Sequence, residues 1–275
     1  GVTVVGTQAG TSNTVTANTI SAGATANTFS NQIDLSLIQD EEIDDVNNLG
    51  LAALSVATNT GIVTSAVDAS SLSIDLTGFT SGTAVNSDNT IRAQSTVNSG
   101  STTIAGTIPN GYQSSTEGRS GTDFSPASTD IHTAEASIVA SSVQLNSATG
   151  HAASVDDNAI GLSLKSDLVN DVNSSPTLDR NTIDAAMTVN SAASTINLQR
   201  QDDAEISAPA FQGSAAVTNL QSNLNGSASA SNSGSSIGAA VTGTGGGALN
   251  ELNGGLSVQD NTISSAAAGN QSTGK

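Results

Sequence analysis

The sequence predicts an all-β protein, and more specifically a β-solenoid, or parallel β-helix, with coils of about 23 residues. The first observation behind this prediction is a pair of columns of branched apolar residues that return at that interval. The first column contains Val15, Ile38, Ile62, Val85, Ile108, Ile131, Val155 and Leu178, and the second contains Ile20, Ile43, Val67, Ile91, Ile160, Ile183 and Ile206. A solenoid produces such columns because each coil places the same buried side chain above its predecessor.

The second observation is a repeated Asn-Thr-Ile segment. It begins at Asn18, Asn89, Asn181 and Asn261, with Asn158-Ala159-Ile160 as a variant. In the first three copies a further Asn follows (Asn27, Asn98, Asn190) and then an Ile (Ile33, Ile104, Ile196). We expect the Asn column formed by Asn18, Asn89, Asn158 and Asn181 to line a coil corner. Asn tolerates left-handed backbone, and its amide can bond to an Asn above and below.

The third observation is a composition suited to a narrow core. Aromatic residues are 2% of the chain and Trp is absent, so few side chains could fill a thick globular interior. Low aromatic content with abundant Ser, Gly and Asn is also typical of disorder. The recurrence of β-branched residues in phase favours an ordered solenoid instead. The main alternative fold is a β-sandwich completed by a strand donated from a neighbour.

Charge and composition exclude several classes of function. The net charge is −18, from 6 basic and 24 acidic residues, so the chain would repel nucleic acid phosphates. No segment approaches the roughly 20 apolar residues that a membrane-spanning helix needs. Cys is absent, which excludes disulfides and thiol chemistry. The chain starts at Gly1 without a leader, and we interpret it as a mature or excised product with an extracellular location.

The chain divides into three predicted regions. Residues 1–242 form the solenoid body, with a loop insertion at 109–130 where Pro and Gly residues cluster. Residues 243–257 are a Gly-rich hinge, and residues 258–275 are a terminal strand. Residues 37–54, which contain an acidic run, are interpreted as coil, with one short helix as the alternative.

The two ends of the chain resemble each other. Val15-x-x-Asn18-Thr19-Ile20 and Val258-x-x-Asn261-Thr262-Ile263 share spacing and residue types. The last segment could therefore be donated to a neighbouring subunit, or it could form the final rung of its own chain. A contact of this kind that does not close gives a filament. The predicted subunit contacts are Val15, Asn18, Ile20, Asn27, Ile33, Val258, Asn261, Ile263 and Asn270.

Acidic residues and sequons supply the remaining candidate sites. Stacked coils would place Asp157, Asp179 and Asp203 in one carboxylate column that could hold Ca²⁺, although a solvated acidic turn is the favoured explanation of these residues. No other cofactor is expected. Asn173, Asn225 and Asn270 begin Asn-x-Ser/Thr sequons that could carry glycans. The sequence has no Gly-x-Ser-x-Gly elbow to position a nucleophile, and we expect no enzymatic activity.

The Asn-Thr-Ile-x6-Asn-x5-Ile pattern, in an acidic chain rich in Ser, Thr, Ala and Asn, resembles the bacterial secreted β-strand-repeat proteins. More loosely, it is similar to curlin-type fibre subunits and repeat adhesins, although the paired Gln and Gly positions of curlin are missing. The resemblance implies an extracellular fibre or biofilm-matrix component whose partners are copies of itself. We expect a structural filament subunit that assembles head to tail by strand stacking or exchange. The alternative is a monomeric adhesin or tail-fibre binding module.

Overall fold

The computed structural model is built from β-strands and contains no helix among the residues that it describes. These residues are 1–7, 11–36, 51–108, 118–121, 132–166, 172–200, 214–224, 226–243 and 252–275. They contain no helix of the length and apolarity that crossing a bilayer requires. The prediction of an all-β protein is confirmed.

The described strands pass three times through one series of five sheets and a fourth time through the first three of those sheets. Each traverse is called a pass below. The first pass contains β1 (Val2–Thr7), β2 (Thr11–Thr16), β3 (Thr19–Ser36), β4 (Leu51–Asn59) and β5 (Thr64–Asp68). The second contains β6 (Ser71–Thr77), β7 (Ser81–Ser87), β8 (Thr90–Ile108), β9 (Gly118–Gly121), β10 (His132–Ala136), β11 (Ile138–Asn146) and β12 (His151–Asp156). The third contains β13 (Ala159–Lys165), β14 (Val172–Ser174), β15 (Thr177–Asp179), β16 (Thr182–Arg200), β17 (Ala215–Asn223) and β18 (Ala228–Ser233). The fourth contains β19 (Ser236–Thr242), β20 (Leu252–Asn253), β21 (Ser257–Gln259) and β22 (Thr262–Gly274).

Five parallel sheets collect the equivalent strands of successive passes. Sheet A has the order β1-β6-β13-β19, sheet C β3-β8-β16-β22, sheet D β4-β11-β17 and sheet E β5-β12-β18. In sheet B, β2, β7, β15 and β21 follow one another, and β14 pairs with β7 on one side and with β20 on the other. The short β9 and β10 form the antiparallel pair of the described strands. Parallel pairing agrees with the solenoid prediction, whereas the alternative sandwich would be built from antiparallel sheets.

The predicted coil of 23 residues is wrong. Stacked Asn residues of sheet C are 71, 92 and 80 positions apart, and those of sheet D are 87 and 77 apart. Val15 is paired with Asn86, and Val85 with Thr14 and Thr177, so the first predicted column does not stack. Each pass needs several strands and their connections before it returns to the same sheet. The shorter interval arose because apolar residues recur on strands that belong to different sheets.

The Asn-Thr-Ile segments do stack in register. Ile20 is paired with Ile91, Ile91 with Ile183 and Ile183 with Ile263, all in sheet C. The variant at Asn158 lies elsewhere, at the junction between sheets E and A, where it bonds to Ser70 and Ser235. The spacing of the Asn-Thr-Ile copies in sheet C therefore matches the spacing of its stacked strands, whereas the spacing of single apolar residues does not.

The apolar core fills the space that the sheets enclose. Its main cluster includes the fully buried Leu72, Ile74, Leu76, Ile160 and Leu162 of sheet A, which face inward on alternate positions. This alternation is what a strand with one buried face requires. A second, smaller cluster contains Ala53, Ile104, Ile138 and Ala140, between sheets C and D. Most buried apolar side chains of the described residues are Ala, Val, Ile and Leu, and Phe79 and Met187 accompany them.

The interior between sheet C and sheets D and E is polar near its middle. Thr102 Oγ1 lies 3.0 Å from Ser55 Oγ, and Ser95 donates to Ser65 Oγ over 2.8 Å. Gln144 donates to the Ser191 carbonyl over 2.7 Å. These side chains are buried or nearly so, and each finds a partner, so the hydrogen bonds offset the cost of their removal from water.

Most of the predicted irregular regions fall outside the described residues. Of the 109–130 loop, residues 118–121 are described and form β9. Residues 37–50 are outside, while 51–54 belong to β4. Within the predicted hinge, residues 252–253 form β20, and its last residue, Ser257, begins β21.

Candidate functional site: the asparagine ladders and the two ends of the stack

A first ladder of Asn side chains runs through all four passes at the junction between sheets B and C. Asn18 Nδ2 donates to Asn89 Oδ1, Asn89 to Asn181 and Asn181 to Asn261, each over 3.0 Å. The backbone N–H of Asn18, Asn89 and Asn181 donates to the same oxygen of the next pass. A single carboxamide oxygen therefore satisfies two donors from the neighbouring pass.

The residue before each ladder Asn adopts the left-handed conformation. Ala17, Asp88, Arg180 and Asp260 have φ of 54°, 57°, 50° and 51°. The expectation that Asn itself takes this conformation is wrong for the described residues. The turn at the preceding residue brings the Asn amide under a carbonyl of the previous pass, as in the bonds of Asn89 to the Val15 carbonyl and of Asn181 to the Asn86 carbonyl.

A second ladder lies in the middle of sheet C. Asn27 donates to Asn98 Oδ1 over 2.7 Å, Asn98 to Asn190 over 2.8 Å and Asn190 to Asn270 over 2.7 Å. Each of the first three amides also reaches across the interior to a sheet D carbonyl, that of Thr58, Leu145 or Ser222. This ladder therefore ties sheet C to sheet D in every pass that has a sheet D strand.

A third ladder, which the sequence did not reveal, closes sheet D. Asn59 donates to Asn146 Oδ1 over 2.9 Å, and Asn146 to Asn223 over 2.8 Å. Beside it the fully buried His151 accepts the Val63 N–H at Nδ1 and lies 3.1 Å from Asn146 Oδ1 through Nε2. Burial lowers the pKa of His151, in keeping with a neutral ring that accepts at Nδ1.

All three ladders point the same way along the stack. Every side-chain amide donates to the Oδ1 of the next pass, never to that of the previous one. Within the described part of the chain, Oδ1 of Asn18 and Asn27 accepts nothing, while Asn261 and Asn270 have amide hydrogens with no acceptor in a following pass. One end of the stack is thus an acceptor surface, and the other is a donor surface.

Comparisons with family models, with curated proteins and with solved structures found no match to this chain.

Exposed apolar residues concentrate at the same two ends. Eight large apolar side chains are exposed among the described residues: Val2, Val5, Val56, Ile62, Leu224, Leu256, Val258 and Ile263. The first four belong to the first pass. Leu256, Val258 and Ile263 belong to the fourth, and Leu224 directly follows β17, the last strand of sheet D. Ile263 is 46% exposed, whereas the stacked Ile91 and Ile183 are completely buried.

The residues predicted as subunit contacts lie in end strands. Val15 and Val258 occupy one column of sheet B, through Asn86 and Leu178. Asn18, Ile20, Asn27 and Ile33 lie on the first-pass edge, and Asn261, Ile263 and Asn270 on the fourth-pass edge. The terminal segment pairs with β15 and β16 of its own chain.

The predicted carboxylate column is not formed. Asp157 follows β12 of sheet E, Asp179 ends β15 of sheet B, and Asp203 lies outside the described residues. Asp179 and Asp88 instead contact Arg180, whose Nε lies 2.7 Å from Asp88 Oδ1. The hydrogen bond from Arg180 lowers the pKa of Asp88. Among the described residues, no group of three or more His, Asp or Glu side chains could hold a metal ion.

The sequon residues have different settings. Asn270 belongs to the second ladder, where a glycan on its amide would replace the free hydrogen described above. Asn173 lies in β14, and Asn225 is outside the described residues.

Proposed function

We propose that the five parallel sheets form one β-solenoid, and that the protein is a structural subunit of an extracellular bacterial filament or biofilm-matrix fibre. Copies stack head to tail, with the fourth pass of one copy against the first pass of the next. The observation that carries this proposal is the common direction of the Asn ladders, which leaves complementary donors and acceptors at opposite ends. Such a contact does not close on itself, and it therefore gives a filament.

Register supports the same junction. If β22 of one copy lies beside β3 of the next in the register used within the chain, Asn261 meets Asn18, Asn270 meets Asn27 and Ile263 meets Ile20. The amides of the first copy then donate to the free Oδ1 atoms of the second. The exposed apolar side chains on both sides leave water, which is worth about 25 cal/mol per Å² of apolar area.

Charge at the junction is compatible with this stacking. In the column of left-handed residues Asp260 meets Ala17, and on the outer face of sheet C Ser264 meets Ser21, so like charges do not face each other there. The net charge of −18 still opposes association at longer range. Filaments should therefore form faster as ionic strength rises, because salt screens this repulsion.

Stacking is the form of assembly that we favour over strand exchange. The terminal strand β22 is paired over its length with β16 of the same chain, so donation would first break that ladder. The filament role, the extracellular location and kinship with bacterial secreted β-strand-repeat proteins are parts of the same proposal. The aliphatic, Asn-laddered interior supports the filament role because it suits repeated parallel stacking.

Disulfide trapping tests the junction. The chain has no Cys, so Ser21→Cys and Ser264→Cys proteins can be mixed under oxidising conditions without competing thiols. Adjacent parallel strands lie about 4.8 Å apart, within the range that a disulfide spans. We expect a cross-linked dimer from this mixture and none from Ser30→Cys mixed with Ser264→Cys, which would be out of register. Equal cross-linking in both mixtures would overturn the register.

Blocking one edge tests the filament itself. Because the Asn18 carbonyl bonds to β8, the N–H of Ser21 faces away from β8 on the free edge of β3. Ser21→Pro should remove filaments from electron micrographs and leave a folded monomer with unchanged circular dichroism. Ser21→Val is the matched control and should still assemble. Filaments of Ser21→Pro protein would show that this edge is not the junction.

A monomeric adhesin or tail-fibre module is the second candidate. The outer face of sheet C favours it, since Thr19, Thr90, Thr182 and Thr262 form one column on a continuous four-stranded surface. Sedimentation velocity separates the two functions, because a module of this kind stays monomeric at all concentrations.

A further inference from the structure

The sheets are of unequal depth at the donor end of the stack. Sheets A, B and C contain a strand from all four passes, whereas sheets D and E contain strands from three. In the first three passes the long sheet C strand packs against a sheet D strand and a sheet E strand. Above β17 and β18, facing β22, the described residues provide no such strand.

We propose that this position is a strand-binding groove, bounded by the free edges of β17 and β18 and by the inner face of β22. Its occupant is an extended segment of a partner polypeptide, which adds in parallel to β17 and continues along β18. This inference concerns a second binding surface, and it does not depend on whether copies of the chain form filaments.

Unused hydrogen-bonding groups of β22 point to a missing strand. Asn27, Asn98 and Asn190 each donate to the carbonyl of a sheet D strand, over 3.0, 3.2 and 3.3 Å. Those carbonyls belong to Thr58, Leu145 and Ser222, which pair with one another in sheet D. Asn270 is the fourth member of this ladder, and its amide finds no carbonyl within the described ranges. A strand in the groove would supply that carbonyl at the same register.

The edge of β17 offers a second set of groups. The Ser214 carbonyl accepts from Ile138 N–H and Leu224 N–H donates to the Asn146 carbonyl, so even-numbered residues of β17 face β11. The N–H and C=O of Val217 and other odd-numbered residues consequently face the groove. Asn223 ends the third ladder. Its amide donates to the Gly226 carbonyl over 3.3 Å, and its second hydrogen can donate to an acceptor on an added strand.

The three occupied equivalents specify the chemistry of the occupant. The inward positions of β4 are Ala53, Ser55, Ala57 and Asn59. Their partners in β11 are Ala140, Ser142, Gln144 and Asn146, and those in β17 are Val217, Asn219, Gln221 and Asn223. The groove therefore fits a segment with Ala or Val at the third position, small or amide side chains at the fifth and seventh, and an Asn at the ninth. Because the chain carries a net charge of −18, a partner segment with basic flanking residues would be favoured over an acidic one.

A labelled peptide tests the groove directly. The probe is a synthetic peptide of residues 51–68, which contains β4 and β5, and the receptor is the full 275-residue chain carrying Ser21→Pro, so that filament growth does not interfere. We expect saturable binding by fluorescence anisotropy, and no binding of a scrambled peptide of the same composition. Peptide in which Asn59 is replaced by Leu should bind about tenfold more weakly, equivalent to about 1.4 kcal/mol.

Proline substitutions locate the bound peptide. Val217→Pro removes an N–H that faces the groove and leaves the β17–β11 ladder intact, and it should reduce affinity at least about tenfold. Val56→Pro is the matched control on the opposite free edge, since odd-numbered residues of β4 face β11. Loss of binding with Val56→Pro but not with Val217→Pro would place the peptide at the other end of the stack and overturn the assignment. Equal binding of the scrambled peptide would also overturn the assignment. Loss of filaments without loss of peptide binding would bear only on the proposed function.

Discussion

The side-chain amide of Asn89 donates to Oδ1 of Asn181 over 3.0 Å, although the two residues are 92 positions apart in the chain. The Asn89 amide also bonds to the Val15 carbonyl, and its own Oδ1 accepts two hydrogen bonds from Asn18. One fully buried side chain thus connects three passes. Because one buried side chain makes so many hydrogen bonds at this corner, the ladder should be a principal source of stability.

Asn89→Ala should lower the free energy of unfolding by about 3 kcal/mol, because it leaves buried donors and acceptors unpaired. Urea denaturation followed by circular dichroism measures the loss. Gln94→Ala is the matched control, since Gln94 is exposed on the outer face of β8, the strand that follows Asn89, and it should change stability by less than about 0.5 kcal/mol. An equal effect of the two substitutions would contradict the role assigned to the ladder.

The sequence predicts the stacked motif because copies of Asn-Thr-Ile must meet the same requirements at every pass. Ile20, Ile91 and Ile183 stack for this reason. The spacing of single apolar residues does not predict the stacking. Val85 pairs with Thr14 rather than with Val15, so the two Val side chains are one position out of register and lie on opposite faces of sheet B. An interval that mixes different sheets cannot be distinguished from a true repeat by spacing alone.

The third ladder and the predicted carboxylate column show what the sequence does not reveal. Asn59, Asn146 and Asn223 are separated by 87 and then 77 residues, and no shared motif surrounds them. The connections between successive sheet D strands differ in length, and this difference hides the repeat. Each of these strands ends in Asn, which is a signal that the sequence does contain. The positions of Asp157 and Asp179 differ from the prediction because a coil of 23 residues would have stacked two residues that in fact belong to different sheets.

Protonation of His151 should destabilise the protein. Burial lowers its pKa, and a protonated ring could not accept the Val63 N–H at Nδ1. The folded state therefore binds this proton less readily than the unfolded state. Stability from this group is complete above the unfolded pKa of about 6.5, and it is lost as pH falls through the lower folded pKa.

Urea midpoints measured between pH 7.5 and 5 should fall with pH for the native sequence. His151→Gln should have a flatter profile over the same interval, because its side chain does not titrate. A direct readout is the imidazole proton resonance of His151, which should titrate below 6.5. Titration at or above that value would contradict the expected direction of the shift.

Two corner residues with left-handed backbone allow substitutions that should change stability in opposite directions. Ala69 has φ of 46°, and Gly234, at the equivalent corner two passes later, has φ of 63°. The left-handed conformation costs a residue with a Cβ about 1 kcal/mol or more of conformational free energy. Ala69→Gly should therefore raise stability by up to about 1 kcal/mol, reduced by the greater freedom of Gly when unfolded.

Gly234→Ala should lower stability by at least as much, because the new Cβ would lie 2.0 Å from Asp157 Oδ1 unless that carboxylate moved. Thermal unfolding of both variants beside the native protein provides the comparison. Ala66→Gly, on the exposed face of β5 with extended backbone, is the control for the intrinsic effect of Gly and should be destabilising. If both glycine variants changed stability in the same direction, the left-handed corner would not explain the result.

The polar interior between sheets C and D should also contribute measurably. Thr102 is fully buried, with its hydroxyl 3.0 Å from Ser55 Oγ and 3.3 Å from the Ser141 carbonyl. Thr102→Val keeps the shape of the side chain but leaves those partners without the hydroxyl, so a loss of about 1–2 kcal/mol is expected in urea denaturation. Thr103→Val, on the opposite face of the same strand and only partly buried, is the matched control and should be near neutral. A smaller loss for Thr102→Val than for its neighbour would mean that the sheets are held together by their aliphatic contacts alone. The expected order instead assigns the polar contacts a part in fixing the distance between sheets C and D, since a sheet C hydroxyl that bonds to two strands of sheet D tolerates little displacement.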